Sequence, residues 1–156
     1  MARNNDQNRG SCRKRISTVL VKATVKGEPD MAPFTRFFYY YDSTDDEIME
    51  NCIQMIKKKL DRNLRINVNE ALTIYCHYVV SELRANKKIS QIAKDAPRIL
   101  SSDKVMIGVA ETLRRIVFDI IIDSSSSKRV VLNQPIIMGN SSNVNNYFAL
   151  IDKCLS

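Results

Sequence analysis

Residues 67–84 constrain this chain more than any other stretch, because they read as a helix with almost no polar side. Asn67 and Glu70 stand at the spacing of a capping box, in which each side chain satisfies the other's backbone N–H. Val68, Ala71, Leu72, Ile74, Tyr75, Cys76, Tyr78, Val79, Val80 and Leu83 then follow on nearly every face. A helix that is apolar all round is stable only when enclosed, so the rest of the chain must build a shell around it. At 156 residues the chain is one ordinary domain, able to bury about 70 % of its unfolded surface, and needs neither metal nor disulfide to do so.

The shell can be read from local periodicity. Thr44 with Glu47 fits a second capping box, and Ile48, Cys52, Ile56 and Leu60, with Met49 and Ile53 beside them, trace one face of a helix. Lys57, Lys58, Lys59, Arg62 and Arg65 fall at its C-terminal end, where cations complement the macrodipole. Ile89, Ile92 and Ala93 mark a short helix bounded by Pro97, and Ser101, Ser102 and Asp103 can cap another that carries Val105, Met106, Val109, Leu113 and Ile116. The period changes to two in residues 16–26 and in the β-prone run 34–41, with Gly27, Glu28, Pro29 and Asp30 supplying a turn between them. Residues 116–122 and 129–132, joined by a serine run, read as a second hairpin.

The expected fold is therefore α+β: a compact helical core of about four helices with a C-terminal β-hairpin, plus an N-terminal β-hairpin extension. Along the chain this gives a flexible basic arm over residues 1–15, the hairpin extension over 16–42, the core over 43–137, and a linker with a terminal helix over 138–156. In that helix Phe148, Ile151 and Leu155 share one side. No apolar run reaches the roughly 18 residues of a membrane span, the longest being interrupted by Asp119.

The net charge of +7 is unevenly placed: Arg3, Arg9, Arg13, Lys14 and Arg15 stand against Asp6 alone in the first fifteen residues. Three readings suit such an arm: contact with RNA or DNA phosphates, attraction to an anionic membrane face, or a solubilising tail. Arg36 and the run Phe37, Phe38, Tyr39, Tyr40, Tyr41 extend the first reading, since aromatic faces beside cations can stack single-stranded bases. A strand with one aromatic face buried on the helical core explains the same residues.

Catalytic constellations are missing from the pattern. The single His77 argues against metal-assisted hydrolysis carried by this chain, and it lies within the apolar helix, where a packing role is expected. Cys12, Cys52, Cys76 and Cys154 are scattered without a Cys-x-x-Cys pair, which argues against zinc and for free thiols in a reducing, cytoplasmic or nuclear setting. The N-terminus has no apolar stretch of the secretory type. Four glycines provide no phosphate-binding loop and no nucleophile elbow. Cys76 and His77 are neighbours, but adjacent helical side chains point about 100° apart and cannot share a proton. Asp119 and Asp123 share a strand face, as a polar site or as the solvated side of the hairpin. No catalytic residue, metal ligand or cofactor is expected.

Three strings carry a family resemblance. Residues 100–111, Leu-Ser-Ser-Asp-Lys-Val-Met-Ile-Gly-Val-Ala-Glu, are similar to the Leu-Thr-x-x-x-Val-Met-x-Gly-Val-x-Glu of the urease γ subunit. Residues 67–71, Asn-Val-Asn-Glu-Ala, and 132–136, Leu-Asn-Gln-Pro-Ile, resemble its Asn-Tyr-Pro-Glu-Ala/Ser and Val-His-Asn-Pro-Ile, at kept spacing. Asn69 stands in place of the family's Pro, Asn133 in place of its His, and a serine run replaces a Pro-Asp-Gly turn. The resemblance covers residues 44–137 and implies a structural chain without nickel ligands, packed around a large subunit that holds the metal and the urea site.

Two functions are thus expected. The first is a non-catalytic subunit in a hetero-oligomer, at most an accessory of a urea-hydrolysing complex, with an exposed apolar patch for its partner. The alternative is a basic structural or interaction protein of the viral nucleocapsid or matrix type, binding nucleic acid or an anionic surface through Arg3, Arg9, Arg13, Lys14, Arg15 and Arg36.

Overall fold

A computed structural model describes residues 20–122, 126–139 and 147–149. The apolar helix is α2 (Val68–Arg84), and its sequence capping box forms: Asn67 Oδ1 accepts from the Glu70 N–H at 2.9 Å and Glu70 Oε1 accepts from the Asn67 N–H at 3.1 Å. Nine of its side chains are buried, including Leu72, Ile74, Tyr75 and Val79 at zero exposure.

Helix α1 (Ser43–Asp61) lies antiparallel to α2, joined by a turn in which Asn63 takes a left-handed conformation (φ 57). Ion pairs fix both ends of the pair: Lys59 Nζ to Glu70 Oε2 at 2.8 Å, and Arg84 Nη2 to Asp46 Oδ1 at 3.2 Å. The cap of α1 is two residues earlier than the Thr44–Glu47 spacing suggests. Asp42 accepts from the Asp45 N–H at 3.0 Å, and Asp45 in turn accepts from the Tyr41 N–H at 2.9 Å. A carboxylate at the cap also meets the positive end of the helix dipole, which a hydroxyl does not. The buried face is Met49, Ile53, Ile56 and Leu60, while Ile48 (57 % exposed) and Cys52 face outward.

The short helix α3 (Ile89–Asp95) runs into a 3-10 turn at Ala96–Arg98. The helix expected from Ser101 to Ile116 does not form. Instead a two-residue strand β3 (Leu100–Ser101) leads to a 3-10 turn at Ser102–Lys104 and then to a one-turn helix, α4 (Val109–Thr112). Gly108 breaks the element with φ 91, a conformation that interrupts an α-helix and that side chains disfavour. Ile116 accordingly belongs to the following strand.

Strands β1 (Leu20–Lys26), β2 (Phe34–Tyr39), β4 (Arg115–Ile121) and β5 (Ser127–Asn133) form one antiparallel sheet in the order β2-β1-β4-β5. The N-terminal and C-terminal hairpins are thereby halves of one sheet. β1 is an interior strand, in register with β4 from Leu20 opposite Ile121 to Lys26 opposite Arg115. Val21, Ala23, Val25, Phe38, Ile116, Phe118, Ile120, Val130 and Leu132 face the helices and are buried. A second pair, β3 with β6 (Ile136–Ile137), is parallel.

The N-terminal hairpin is fastened at three places. Seven residue pairs tie β1 to β4. At the turn, a Cβ on Gly27 would meet the Glu111 and Thr112 carbonyl oxygens at 3.0 Å, so the hairpin and α4 approach closely only because that residue is glycine. At the other end the Arg36 guanidinium donates to Asn69 Oδ1 and lies over the Phe38 ring, 5.8 Å from its centroid. Residues 1–19, which include the basic arm and the start of the first expected strand, lie outside the described residues. So do Asp123, the 140–143 linker and residues 150–156. Of the expected terminal helix only residues 147–149 are described, and they are helical. Tyr147 and Phe148 are buried, with the Tyr147 hydroxyl donating to the Ile74 carbonyl at 3.3 Å.

Two predictions follow from this packing. Asn67→Ala removes the α2 cap and is expected to destabilise the fold by about 1 kcal/mol. Asn69→Ala, which loses only an exposed contact to Arg36, should remove roughly 0.5 kcal/mol. Guanidinium denaturation of both variants checks the order, and equal losses would show that the hairpin contact matters as much as the cap. The second prediction concerns alkaline pH. Burial pushes the hydroxyls of Tyr40, Tyr75 and Tyr147 above their ordinary value and the Cys76 thiol up to about 12. In the unfolded chain these groups lose protons from about pH 8.5 (Cys) and 10 (Tyr) upward, while the folded state keeps them. Unfolding then releases protons, so stability is flat below pH 8 and falls above it, by about 1.4 kcal/mol per pH unit for each group that titrates only when unfolded. Denaturation midpoints measured at pH 7, 9 and 11 should decline in that order; a midpoint unchanged at pH 11 contradicts the burial of these groups.

Candidate functional site

The three sequence strings are brought together at one corner. Ile66, immediately before the α2 cap, is fully buried and bridges in parallel to Val105; its N–H donates to the Lys104 carbonyl at 3.0 Å and its carbonyl accepts from the Met106 N–H at 2.8 Å. Leu100 and Ser101 pair with Ile136 and Ile137. The buried Tyr75 hydroxyl donates to the Pro135 carbonyl at 2.8 Å, and the Gln134 N–H donates to the Arg114 carbonyl at 2.7 Å. Gln134 takes a left-handed conformation (φ 46) to do so. The Gly139 N–H closes the set on Ser102 Oγ at 3.1 Å. Segments 20 to 60 residues apart thus hold one another by hydrogen bonds that each involve the main chain, which fixes the loops between them.

That fixed scaffold presents apolar side chains to solvent. Ile107 is 96 % exposed, Met138 81 % and Met106 47 %. Gly108 has open space around it, so it serves the turn that projects Ile107 rather than any close contact. Beside them is an open cleft bordered by Glu28, Glu111, Arg114, Gln134, Ile137 and Met138, with Arg114 Nη1 4.0 Å from Glu28 Oε1. Met106, Ile107 and Met138 are thus large apolar side chains left exposed next to the strings that hold one another.

The buried polar groups near α2 are arranged for packing. Cys76 Sγ lies 3.7 Å from the Tyr40 hydroxyl, and burial pushes its pKa up, which holds it as a thiol at neutral pH. The His77 ring meets Tyr147 edge-on at 6.4 Å. Among the described residues no three His, Cys, Asp or Glu side chains are grouped closely enough to hold a metal ion. Asp119 accepts from Arg129 Nε at 2.7 Å across the β4–β5 pair, on the outer sheet face.

Of the residues singled out for anionic partners, Arg3, Arg9, Arg13, Lys14 and Arg15 lie outside the described residues. Arg36 is on the helix-facing side of β2, engaged with Asn69 and Phe38. The aromatic run divides by face: Phe38 and Tyr40 are buried, whereas Phe37, Tyr39 and Tyr41 are exposed. Ile107 and Met138 are the surface residues that sequence reasoning passed over. For Ile107 the available signal is Gly108, a breaker inside the expected helix; Met138 has no such signal.

A family model described as "Urease, gamma subunit" matches residues 42–136, from the α1 cap into β6. Curated relatives agree. The urease subunit gamma of Halalkalibacterium halodurans is 38 % identical over 63 residues, 40 % of this chain and 63 % of the relative. That of Yersinia enterocolitica is 29 % identical over 79 residues, 51 % and 78 % respectively. That of Saccharopolyspora erythraea is 25 % identical over 72 residues, 46 % and 72 %. The chain therefore aligns with less than two thirds of the first relative's length, and the β1–β2 hairpin precedes the family match altogether. All three strings that build the corner lie within the matched segment, and this chain belongs to the urease gamma subunit family.

Proposed function

We propose that the chain is a non-catalytic structural subunit of a urea-hydrolysing hetero-oligomer, holding no cofactor of its own and packing against a larger, metal-bearing chain through the Ile107–Met138 corner. The observation that carries this reading is the coincidence of the family match with that corner. Within the match, the string 100–111 shared with urease gamma chains carries Met106 and Ile107 at the surface, and Met138 stands exposed just beyond its end. The absence of catalytic spacing in the sequence and the inert setting of Cys76 support a structural role. Burying an exposed isoleucine stabilises an interface by about 2 kcal/mol, so this corner contributes a substantial part of a subunit contact.

Co-expression with a urease large chain tests the proposal. The two chains are expected to purify together, and Ile107→Asp, which places a charge in the contact, should weaken their association at least about tenfold while leaving the thermal midpoint of the free chain unchanged. Separate elution of the wild-type chains, or full retention of Ile107→Asp in the complex, would overturn it.

A further inference from the structure

The β1–β2 hairpin lies before the family match, so the proposed subunit role does not call for it. In the sheet order β2-β1-β4-β5 the two edges differ. β5 has α3 packed beside it, whereas β2 pairs with β1 and, among the described residues, with no strand on its other side. Every second residue of β2 consequently turns its N–H and C=O away from the sheet.

Natural edge strands are usually blunted by charge, proline or a bulge. β2, Phe-Thr-Arg-Phe-Phe-Tyr, has no proline, and its one charge, Arg36, is turned to the helix side and taken up by Asn69. Its solvent side carries Phe37, 49 % exposed, and Tyr39, 53 % exposed, with Tyr41, 58 % exposed, stacked on Tyr39 at 5.5 Å.

We propose that β2 is a self-association seam, at which a second copy of this chain adds antiparallel across a two-fold axis to continue the sheet. The choice of a second copy rests on the character of the row. Thr35, Phe37, Tyr39 and Tyr41 are uncharged, so identical rows meet without like-charge repulsion despite the net +7, and a two-fold axis sets this aromatic row beside itself. The area agrees. Three aromatic side chains that are half exposed offer about 300 Å² per copy, and with the strand backbone a symmetric pair buries on the order of 1,000 Å², at the low end for specific interfaces. The dimer is therefore weak and reversible. It uses a surface outside the family match, so it stands or falls independently of the contact through Ile107.

Sedimentation velocity of the full chain alone, over about 5 to 200 μM, is expected to show a concentration-dependent monomer–dimer equilibrium. Phe37→Lys, at an exposed position, should weaken the dimer at least about tenfold without shifting the thermal midpoint, and Tyr39→Lys should do the same. Mixing Phe37→Lys with Phe37→Glu should restore a heterodimer, which a general surface effect does not produce. A wild-type monomer across the whole range, or lysine variants that dimerise like wild type, overturns the proposal. Dimers that appear only when residues 1–15 are deleted overturn it too, since the edge is then occupied by the chain's own N-terminal segment.

Discussion

The structure depends on the need to enclose α2. A helix apolar on nearly all sides has no solvent face to orient it, so each neighbour is placed by the side it must cover. α1 covers one side and is held antiparallel by Lys59–Glu70 at one end and Arg84–Asp46 at the other. The sheet covers another with the buried residues of β1, β4 and β5. α3 reaches α2 through the Tyr78 hydroxyl, which donates to the Ile92 carbonyl at 2.9 Å. Tyr147 covers part of what remains, edge-on to both His77 and Tyr78. The Tyr75 and Tyr78 hydroxyls and the Cys76 thiol also point into this shell, and burial there opposes their ionisation.

Much of this was legible because local signals and tertiary demands agree. The Asn67–Glu70 box, the alternation of β1 and the β-branched runs of β4 and β5 each name their own element; α2, β4 and β5 are found within a residue or two of their expected ends, and β1 ends at Lys26 as expected, its expected start lying outside the described residues. Misreadings fall where two local rules compete. At α1 the Thr44–Glu47 spacing is a good box, but Asp42 offers a charged cap and shifts the helix start. On the same helix Ile48 and Cys52 have the right period for a core face, and nothing local distinguishes it from the neighbouring stripe of Met49, Ile53, Ile56 and Leu60. Around residues 101–116 the apolar spacing is helical, yet Gly108 and the pull of Ile66 on the 104–106 backbone divide it. That pull is a contact between residues 39 apart in sequence, invisible to any periodicity. The joining of two hairpins into one sheet is non-local in the same way. The corner's exposed Ile107 and Met138 escaped notice because an apolar residue is read as core until the backbone shows otherwise.

The family segment and the added hairpin have different logics. Within the segment, the shared strings serve main-chain geometry: a cap, a bridge, a left-handed turn at Gly108, a carbonyl that receives the Tyr75 hydroxyl. One departure from the family strings supports the hairpin. Asn69, standing in place of the family's Pro, supplies the side-chain acceptor that Arg36 of the hairpin uses; a proline there has none. The hairpin in turn completes the sheet, since without β1 the β4 edge, with Ile116, Phe118 and Ile120 turned to the core, would lack a neighbour on that side.

The pairing of β1 with β4 also fixes an order of events at the ribosome. β1 and β2 are made early, yet the strand that anchors them arrives about a hundred residues later, opposite Ile121. Until then the hairpin has only itself, and an isolated two-stranded hairpin is marginal in water. Until β4 is made, the nascent chain must therefore carry an aromatic-rich segment without its sheet partner, and folding is closed by a long-range contact of the slow kind. The hairpin that precedes the family match thereby depends on a strand made much later, and a truncation in β4 would release β1 and β2 as well.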